Sequence, residues 1–501
     1  MSYKDQLSDL EREGERSLTQ QLVDLIAAAI ARGELVADDK LPPTRELAEL
    51  AGVNHLTAVR AYRRLRELGL VTAHVGRGTF VRGAGGAPAP GRAPDSIAWQ
   101  RYALPPTIES HGDRALAEMH RQATSKGLVP LSVGYPSARL FPVAELGEAF
   151  AATLDGEPER ALQYSEIQGT PELAAELASL SAARGAPEDA DDILVTNGAS
   201  QALALASDAI LRPGDVAACE EPSFTSVMRA MSDTGATLVG VPTDADGLDI
   251  DALEALLARQ EIRLLSLQPR LQNPTGRDLI PARRERLLEL ARRHGFFILE
   301  DGIYGDLRFA GGELPSLRSQ APAHVIYVDS FSKILGGGLR LGWLAASGPV
   351  LDRIVARKRA HDLHSPTLTQ LAMARYLASG AYPAQAERAL AFYRERLEAM
   401  RGSIERHLGS IATYVEPLGG GHLWVSLDVD VDERELADEA VRQGVAYVPG
   451  NAMRIDERPD LKLRLSHGYL EPDQIDEGLR RLAAAIGAVR ARPARSQAVP
   501  V

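Results

Sequence analysis

The stretch SFSKILGGGLRLGW, residues 330–343, follows the apolar run HVIYVD and decides the class of fold. Three other polar motifs also follow apolar runs of strand length: ILVT precedes NGASQALALASDAI, LLSLQPRLQ precedes NPTG, and FFILE precedes DGIYGDLRF. Strand-like runs that alternate with helical segments are typical of a mainly parallel sheet covered by helices. Ligands of such α/β folds bind beyond the carboxyl ends of the strands. The four motifs therefore predict one binding site at one edge of a sheet.

The residue types in these motifs suit pyridoxal phosphate as a cofactor. Lys333 can bond covalently to its aldehyde, and Asp301 can keep its ring nitrogen protonated, so that the ring withdraws electrons. Asn273 and Tyr304 can donate hydrogen bonds to its phenolic oxygen, and Phe224 can stack on its ring. A phosphate requires backbone amides at a helix N-terminus, hydroxyls and a guanidinium. The residues that could supply these groups are Ala199, Ser200, Ser330, Ser332 and Arg340.

Each of these residues, taken singly, also has a purely structural explanation. An isolated NPTG is usually a turn, Asp301 could cap a helix, and Lys333 could lie on the surface. The joint order of the motifs and their common position at strand ends favour the cofactor site over these alternatives.

Residues 17–82 have a different pattern. SLTQQLVDLIAAAIARGEL has apolar residues at helical spacing, LPPTRELAELAG predicts a second helix with Thr44 as N-cap, and HLTAVRAYRRLRELG predicts a third after Asn54. LVTAHVGRGTFV then alternates around a Gly-Arg-Gly turn, which indicates a β-hairpin. Three helices followed by a hairpin predict a winged helix-turn-helix, whose third helix enters the major groove of DNA.

The distribution of charge agrees with a local DNA-binding module. The whole chain has a net charge of −12, whereas residues 45–82 contain seven Arg and three Glu. Arg60, Arg63 and Arg64 are spaced to share one helix face, where guanidinium groups can pair with guanine or clamp phosphate. The alternative is a solvated helix face that pairs with Glu67 and its neighbours.

The segments LPPTRELAELAGV, TAVRAYRRLRELGLV and GRGTFV resemble the GntR family of bacterial regulators over about residues 17–82. The resemblance implies that Arg45 contacts DNA and that Gly78 of the wing approaches it closely. The other residues that we expect at the DNA are His55, Thr57, Arg60, Arg63, Arg64 and Arg77.

One departure from the family lies at the start of the third helix. The family usually has arginine after the small polar residue that opens this helix, whereas this chain has His55 and then Leu56. The resemblance therefore does not predict the operator sequence. The departure at His55 affects DNA binding itself less than it affects the choice of operator, because phosphate contacts supply most of the affinity.

From about residue 107 to 485 the chain resembles fold-type-I aminotransferases of the aminoadipate and kynurenine aminotransferase kind. The resemblance implies that Lys333 carries pyridoxal phosphate. It also implies that Tyr164, in LQYSEIQGTPEL, reaches the phosphate in the partner subunit. Arg464, in LKLRLSHGY, would grip the α-carboxylate of an amino acid. The expected fold is a large domain with a mainly parallel sheet, followed by a smaller domain.

Two residues of this segment differ from the usual pattern. Arg270, in QPRLQNPTG, stands where relatives commonly have a small polar residue, so it could bind an acidic effector, although a surface salt bridge is favoured. Gly302 replaces an acidic residue that often follows Asp301, and we expect it to alter the local turn more than the chemistry.

A GntR-like module in front of an aminotransferase-like domain is the layout of the MocR group of regulators. We place the DNA-binding domain at 1–82, a Gly-, Ala- and Pro-rich linker at 83–106, the cofactor domain at 107–485 and a tail at 486–501. The resemblance implies a head-to-tail homodimer that binds a double-stranded DNA operator and senses pyridoxal phosphate or an amino acid. The alternative is an active aminotransferase that carries an accessory DNA-binding domain.

Composition agrees with a cytoplasmic location. The charged start, MSYKDQLSDLEREGER, lacks an apolar core, so we expect it not to act as a signal peptide, and apolar runs are too short to span a bilayer. The single cysteine, Cys219, excludes an internal disulfide and lies in an apolar stretch, where a buried thiol is expected. Metal-ligand spacing of His and Cys is absent from the sequence, so we expect no metal site.

Overall fold

The computed structural model describes residues 7, 10, 18–32, 34–36, 39–67, 70–74, 78–81, 121, 127–184, 186–456 and 458–491. The chain divides into two compact units, Met1–Ile108 and Glu109–Val501. The proposed linker at 83–106 and the wing residue Arg77 lie outside the described residues. Within the described ranges, we find no helix with the length and apolarity that a bilayer span requires.

The first unit contains helices α1 (Leu18–Ala31), α2 (Thr44–Leu50) and α3 (His55–Glu67), followed by the antiparallel hairpin β1 (Val71–His74) and β2 (Gly78–Val81). Their apolar faces pack into one core. Its buried members include Leu22, Ile26, Leu47, Ala58, Leu65, Val71 and Val81. The order of elements confirms the predicted winged helix-turn-helix.

The N-terminal cap of α3 is the predicted one, and that of α2 is not. Asn54 Oδ1 accepts a hydrogen bond from the Leu56 N–H at 2.9 Å, which satisfies a free amide of the first turn. Thr44 was expected to cap α2, but it is the first helical residue after Pro43, and no side chain caps this helix. The ring of Pro43 restricts the backbone to an extended conformation just before the helix, so the helix begins at Thr44 without a side-chain cap.

The second unit contains fourteen strands among its described residues. In chain order they are β3 (Val129–Pro130), β4 (Ile193–Thr196), β5 (Val216–Glu221), β6 (Thr237–Asp244), β7 (Gly247–Leu248), β8 (Leu264–Leu267), β9 (Phe297–Asp301), β10 (Val325–Ser330), β11 (Gly342–Ala345), β12 (Ala412–Tyr414), β13 (His422–Leu427), β14 (Val445–Ala446), β15 (Val448–Pro449) and β16 (Lys462–Ser466).

The helices of this unit connect and cover the strands. In chain order they are α4 (Val143–Gly156), α5 (Pro158–Ala161), α6 (Pro171–Ala183), α7 (Ala199–Ile210), α8 (Thr225–Ser232), α9 (Ile250–Leu257), α10 (Pro281–His294), α11 (Pro349–His361), α12 (Thr367–Ala378), α13 (Tyr382–His407), α14 (Glu433–Arg442) and α15 (Pro472–Arg490).

Eight strands form the large sheet, in the order β4-β11-β10-β9-β8-β5-β6-β7. The neighbours from β10 to β6 are parallel. In contrast, β11 runs antiparallel to both of its neighbours, and β7 runs antiparallel to β6. β4, β8 and β10 are buried along their whole length, as expected for strands covered by helices on both faces. The predicted mainly parallel α/β sheet is confirmed.

A smaller antiparallel sheet follows, in the order β12-β13-β16-β15. Its core is shared with the last three helices through residues such as Leu397, Leu436 and Leu479. Helix α15 runs to Arg490, with Ile486 and Val489 buried in this core. The domain boundary that we placed at 485 therefore falls inside a helix.

Candidate functional site

The candidate cofactor cleft lies where several strands of the large sheet end. Because β11 is antiparallel to β10, the first residue of β11 lies beside the last residue of β10. Gly342 pairs with Ser330 on one side and with Thr196 on the other. This register brings the motifs that follow β4 and β10, and the motif that precedes β11, to the same edge.

The predicted phosphate-binding residues converge at this edge. Gly198, with φ +84°, precedes Ala199 and Ser200 at the N-terminus of α7, whose amides point out of the helix end. Arg340 Nη2 donates to the Asn197 carbonyl at 2.7 Å, and a Cβ on Gly198 would lie 2.9 Å from that nitrogen. The hydroxyls of Ser330 and Ser332 are 2.8 Å apart. A helix N-terminus, a guanidinium and two hydroxyls fit a phosphate group.

Lys333 projects into the cleft. Its Nζ donates to the Gly134 carbonyl at 2.7 Å and lies 5.4 Å from the centroid of the Tyr304 ring. Burial and, to a smaller extent, the charge of Arg464 lower the pKa of Lys333 to about 8, although Asp301 opposes the shift. A larger fraction of the amine is therefore neutral at physiological pH, as a nucleophilic lysine requires.

Asp301, the last residue of β9, is buried at the same edge. Its Oδ2 accepts a hydrogen bond from Gln268 Nε2 at 2.9 Å, and its Oδ1 accepts one from the Ile303 N–H at 3.1 Å. Burial raises the pKa of Asp301 to about 6. The carboxylate is thus ionised at pH 7 but basic enough to hold a proton on a ring nitrogen. Sequence analysis missed Gln268, although it is the first polar residue after the buried strand β8.

Tyr304 is hydrogen-bonded to a histidine that sequence analysis did not identify. The Tyr304 hydroxyl and His422 Nε2 are 2.8 Å apart, and His422 Nδ1 is 3.0 Å from Ser466 Oγ. Burial, together with the charges of Arg464 and Lys333, holds the pKa of His422 well below its usual range. Burial also raises the pKa of Tyr304. Both groups are therefore neutral, and the tautomer of His422 determines whether the Tyr304 hydroxyl donates to Nε2 or Nε2–H donates to the hydroxyl oxygen.

Arg464 and Asn273 contact each other in the cleft. Arg464, on β16 of the smaller sheet, donates from Nη2 to the Ser132 carbonyl at 2.9 Å and from Nη1 to Asn273 Oδ1 at 3.4 Å. Burial lowers the pKa of Arg464 to about 10, so it stays charged at neutral pH. A buried guanidinium in this position suits a carboxylate ligand, and that role remains a prediction.

Two predicted cofactor residues lie at the margin of this group. Phe224 immediately precedes α8 and is half-buried against the apolar core of the large sheet. Tyr164 is 77% exposed, and its ring lies edge-on to His364 at 5.6 Å between centroids. The predicted stacking of Phe224 on the cofactor, and the reach of Tyr164 into a partner subunit, stay predictions.

The candidate DNA-binding residues lie on the surface of the first unit. In α3, Ala58, Ala61, Tyr62 and Leu65 face the core. The exposed positions of this helix include His55, Arg60, Arg63 and Arg64, and Thr57 is half-buried. Leu56, at the start of the helix, is 62% exposed. Arg45 is exposed on α2, and Gly78, with φ +112°, begins the second strand of the wing.

The structure corrects the interpretation of Arg270 and Gly302. Arg270 was expected in a surface salt bridge, but it is only 9% exposed, and its nearest carboxylate, that of Glu300, is fully buried. Gly302 was expected to alter a turn, but a Cβ there would lie 2.3 Å from the Tyr327 hydroxyl. Glycine is therefore required by close packing under this tyrosine rather than by the conformation of the turn.

Comparisons with known proteins agree with this arrangement. The family of aminotransferases class I and II matches residues 126–482, and the gntR family of bacterial regulatory proteins matches residues 18–81. The chain is 28% identical over 482 residues to a probable rhizopine catabolism regulatory protein MocR of Rhizobium meliloti, and the match covers 95% of both chains. It is 28% identical to an HTH-type transcriptional regulator YdfD of Bacillus subtilis, over 94% of this chain and 97% of the relative.

Among solved structures, an α-aminoadipate aminotransferase from Thermus thermophilus, complexed with N-(5′-phosphopyridoxyl)-L-leucine, superposes with a TM-score of 0.70. It is 33% identical, and the match covers 76% of this chain and 98% of that chain. The cofactor of this fold is pyridoxal phosphate, which the donor set around Lys333 fits. The chain belongs to the class I and II aminotransferase family and carries a gntR-family module in front of that domain, as MocR-type regulators do.

Proposed function

We propose that the protein is a transcription regulator that binds an operator through α3 and the wing and senses an amino acid in the cleft around Lys333. The observation that carries the proposal is that one chain combines an exposed, arginine-bearing third helix with a cleft containing Lys333, Asp301 and Arg464. An enzyme has no chemical need for the first of these features.

The residues of the cleft have distinct tasks in this proposal. Pyridoxal phosphate, when bound, supplies an aldehyde that takes up amino groups and a ring that withdraws electrons. Lys333 would provide the amine that holds the cofactor, and Asp301 would keep the proton on its ring nitrogen. Arg464 orients an incoming amino acid by its carboxylate, while Tyr304 and His422 hold a proton at the hydroxyl oxygen. An amino acid whose carboxylate engages Arg464 would bind one state of the cleft more tightly than another, which a switch requires.

We also propose that the protein is a head-to-tail homodimer in which Tyr164 completes the partner's cleft. Tyr164 and Leu162 are each 77% exposed. Two exposed apolar side chains of this size, two positions apart in the chain, fit a surface that another chain covers. An amino acid could then change the spacing of two DNA-binding modules, and spacing is a geometric requirement for a dimer on two half-sites.

A second candidate function is transamination. Lys333, Asp301, Asn273, Tyr304 and Arg464 are all present and lie in one cleft. These are the groups that an aminotransferase of this fold uses, so turnover is the specific alternative to sensing.

The test is the binding of the full chain to DNA from upstream of its own gene, measured by fluorescence anisotropy. It is run with and without pyridoxal phosphate and with a panel of amino acids. We expect one amino acid to change operator affinity roughly 5- to 150-fold, the usual range of allosteric coupling. Repeated conversion of that amino acid to its keto acid, with unchanged DNA affinity, would show that the protein is an enzyme.

The double variant Arg63→Ala/Arg64→Ala should weaken operator binding and flatten its dependence on salt. Each phosphate contact that is lost should lower the slope of log affinity against log salt by about 0.9. The control is Arg66→Ala, which removes another exposed arginine of α3, near the end of the helix. An unchanged slope for the double variant would place both arginines away from the DNA.

The rate at which the cofactor attaches to the cofactor-free protein should depend on the protonation of Lys333. Attachment requires the neutral amine, so the rate should rise with pH and level off above about 8, the pKa of Lys333. Arg464→Met removes a positive neighbour, which raises this pKa and moves the profile to higher pH. Asp301→Asn removes a negative neighbour and moves it to lower pH. Stopped-flow absorbance measures both shifts, and shifts in the same direction would contradict the assignment.

A further inference from the structure

A second cavity lies in the large domain, apart from the cofactor cleft. It has a volume of about 280 Å³. Its floor contains Arg270 and Tyr327, its apolar wall includes Leu314 and Leu390, and Arg184 and Arg308 also line it. Glu300 pairs with Tyr327 across β9 and β10, whereas the next residue, Asp301, serves the cofactor cleft. Successive residues of a strand point to opposite faces of a sheet, so the cavity lies on the other side of β9 from Asp301.

Arg270 is the cation in this cavity with the fewest partners. Arg184 donates to Asp329 at 3.0 Å and also binds Asp306, and Arg308 binds both oxygens of Asp278 at 2.8 and 3.0 Å. Arg270, in contrast, donates one hydrogen bond, from Nη2 to the Tyr327 hydroxyl at 3.3 Å. Its buried Nε has no hydrogen-bond partner among the described residues, and Glu300 Oε1 is 3.9 Å away. Nε faces Glu300, but Nη1 donates no hydrogen bond among the described residues, so its two N–H groups are available to a ligand.

The mouth of the cavity has the opposite charge. Glu313 and Glu387 line it, and both side chains are exposed. Within the part of the chain that the structure describes, neither carboxylate forms an ion pair. A ligand that fits both ends therefore has an anionic group for Arg270, a cationic group for the mouth, and a small apolar part for the wall formed by Leu314 and Leu390.

We propose that this cavity binds a small aliphatic α-amino acid as a zwitterion, with its carboxylate on Arg270 and its ammonium group towards Glu313 and Glu387. The site is independent of the cofactor, and binding there requires neither the regulator nor the enzyme function. A short chain of hydrogen bonds connects this cavity to the phosphate-binding residues. Arg270 contacts Tyr327, the Tyr327 hydroxyl donates to Asp329 at 2.7 Å, and Asp329 accepts from the Ser330 N–H at 2.6 Å.

The experiment separates this cavity from the cofactor cleft. Holoprotein is reduced with borohydride, which fixes the cofactor to the chain and prevents amino acids from reacting with it. Equilibrium dialysis then measures the binding of radiolabelled L-alanine, L-valine and L-leucine. We expect saturable binding of at least one of them, and Arg270→Gln should weaken it by about 10-fold or more, because a charge-assisted hydrogen bond is lost. Arg464→Met, in the cofactor cleft, is the matched control and should leave this binding unchanged.

A second variant and two competing ligands test the proposal even if the Arg270→Gln protein does not fold. The exposed double variant Glu313→Gln/Glu387→Gln should also weaken binding. Isovalerate lacks the ammonium group of valine and isobutylamine lacks its carboxylate, so each should compete more weakly than L-valine. The proposal is overturned if none of the three amino acids binds the reduced protein, if Arg464→Met rather than Arg270→Gln abolishes binding, or if isovalerate competes as well as L-valine.

Discussion

Replacing Lys333 with alanine should abolish the covalent attachment of pyridoxal phosphate to the chain. Lys333 is the lysine whose amine lies in the cleft, beside the Gly134 carbonyl and above the Tyr304 ring. Without this amine, the cofactor is held by non-covalent contacts alone, and dialysis should remove it. The measurement is the mass of the intact chain after borohydride reduction, together with the visible absorbance of the dialysed protein.

The control for this variant is Lys462→Ala. Lys462 lies on β16, and its ammonium group pairs with Asp460 at 3.1 Å. This variant should retain the cofactor adduct in full. A Lys333→Ala protein that still carries the reduced adduct after dialysis would show that another amine holds the cofactor.

Replacing Arg464 with methionine should remove the response of DNA binding to the amino acid while the cofactor stays attached. A hydrogen bond to a charged group contributes roughly 1.5–3 kcal/mol, and a guanidinium can make two of them to one carboxylate. The concentration of amino acid that gives half of the response should therefore rise by about 100-fold or more. Operator binding is measured by anisotropy as the amino acid is titrated.

Arg396→Met is the matched control for this loss. Arg396 is also a buried arginine of the C-terminal part, but it binds the Leu470 carbonyl at 3.0 Å and Glu471 at 2.7 Å, outside the cleft. Its replacement should lower stability and leave the amino acid response in place. If Arg464→Met responds with wild-type sensitivity, the group that binds the carboxylate is elsewhere, and the proposed route from ligand to DNA is wrong.

The fold and the cleft residues that lie at strand ends could be predicted because short segments of sequence determine them. Asp301 ends strand β9, and Lys333 and Asn273 lie in the segments that follow β10 and β8. Their common edge therefore follows from the topology of parallel sheets. Asn54 could be identified as a helix cap because its partner is two residues away.

Other features depend on contacts between distant segments, which no local pattern reports. His422 reaches Tyr304 from the smaller sheet, and the carbonyl groups of Ser132 and Gly134 reach Arg464 and Lys333 from the segment before α4. Arg270 looked like a surface residue because charged side chains are seldom buried. Its burial follows from the position of Glu300 and Tyr327 on neighbouring strands, which the sequence alone does not reveal.

The strand order of the large sheet also has a consequence for synthesis on the ribosome. Among the strands that the structure describes, β4 lies at the edge of the sheet and pairs with β11 alone, so the phosphate-binding edge cannot close until Ala345 has been made. The core of the winged helix contains only residues up to Val81, and it can fold long before that point. At ordinary rates of translation the interval is on the order of tens of seconds. A growing chain therefore carries a folded DNA-binding module before its ligand-binding cleft has formed. Until the sheet closes, DNA binding by such a chain cannot respond to the ligand.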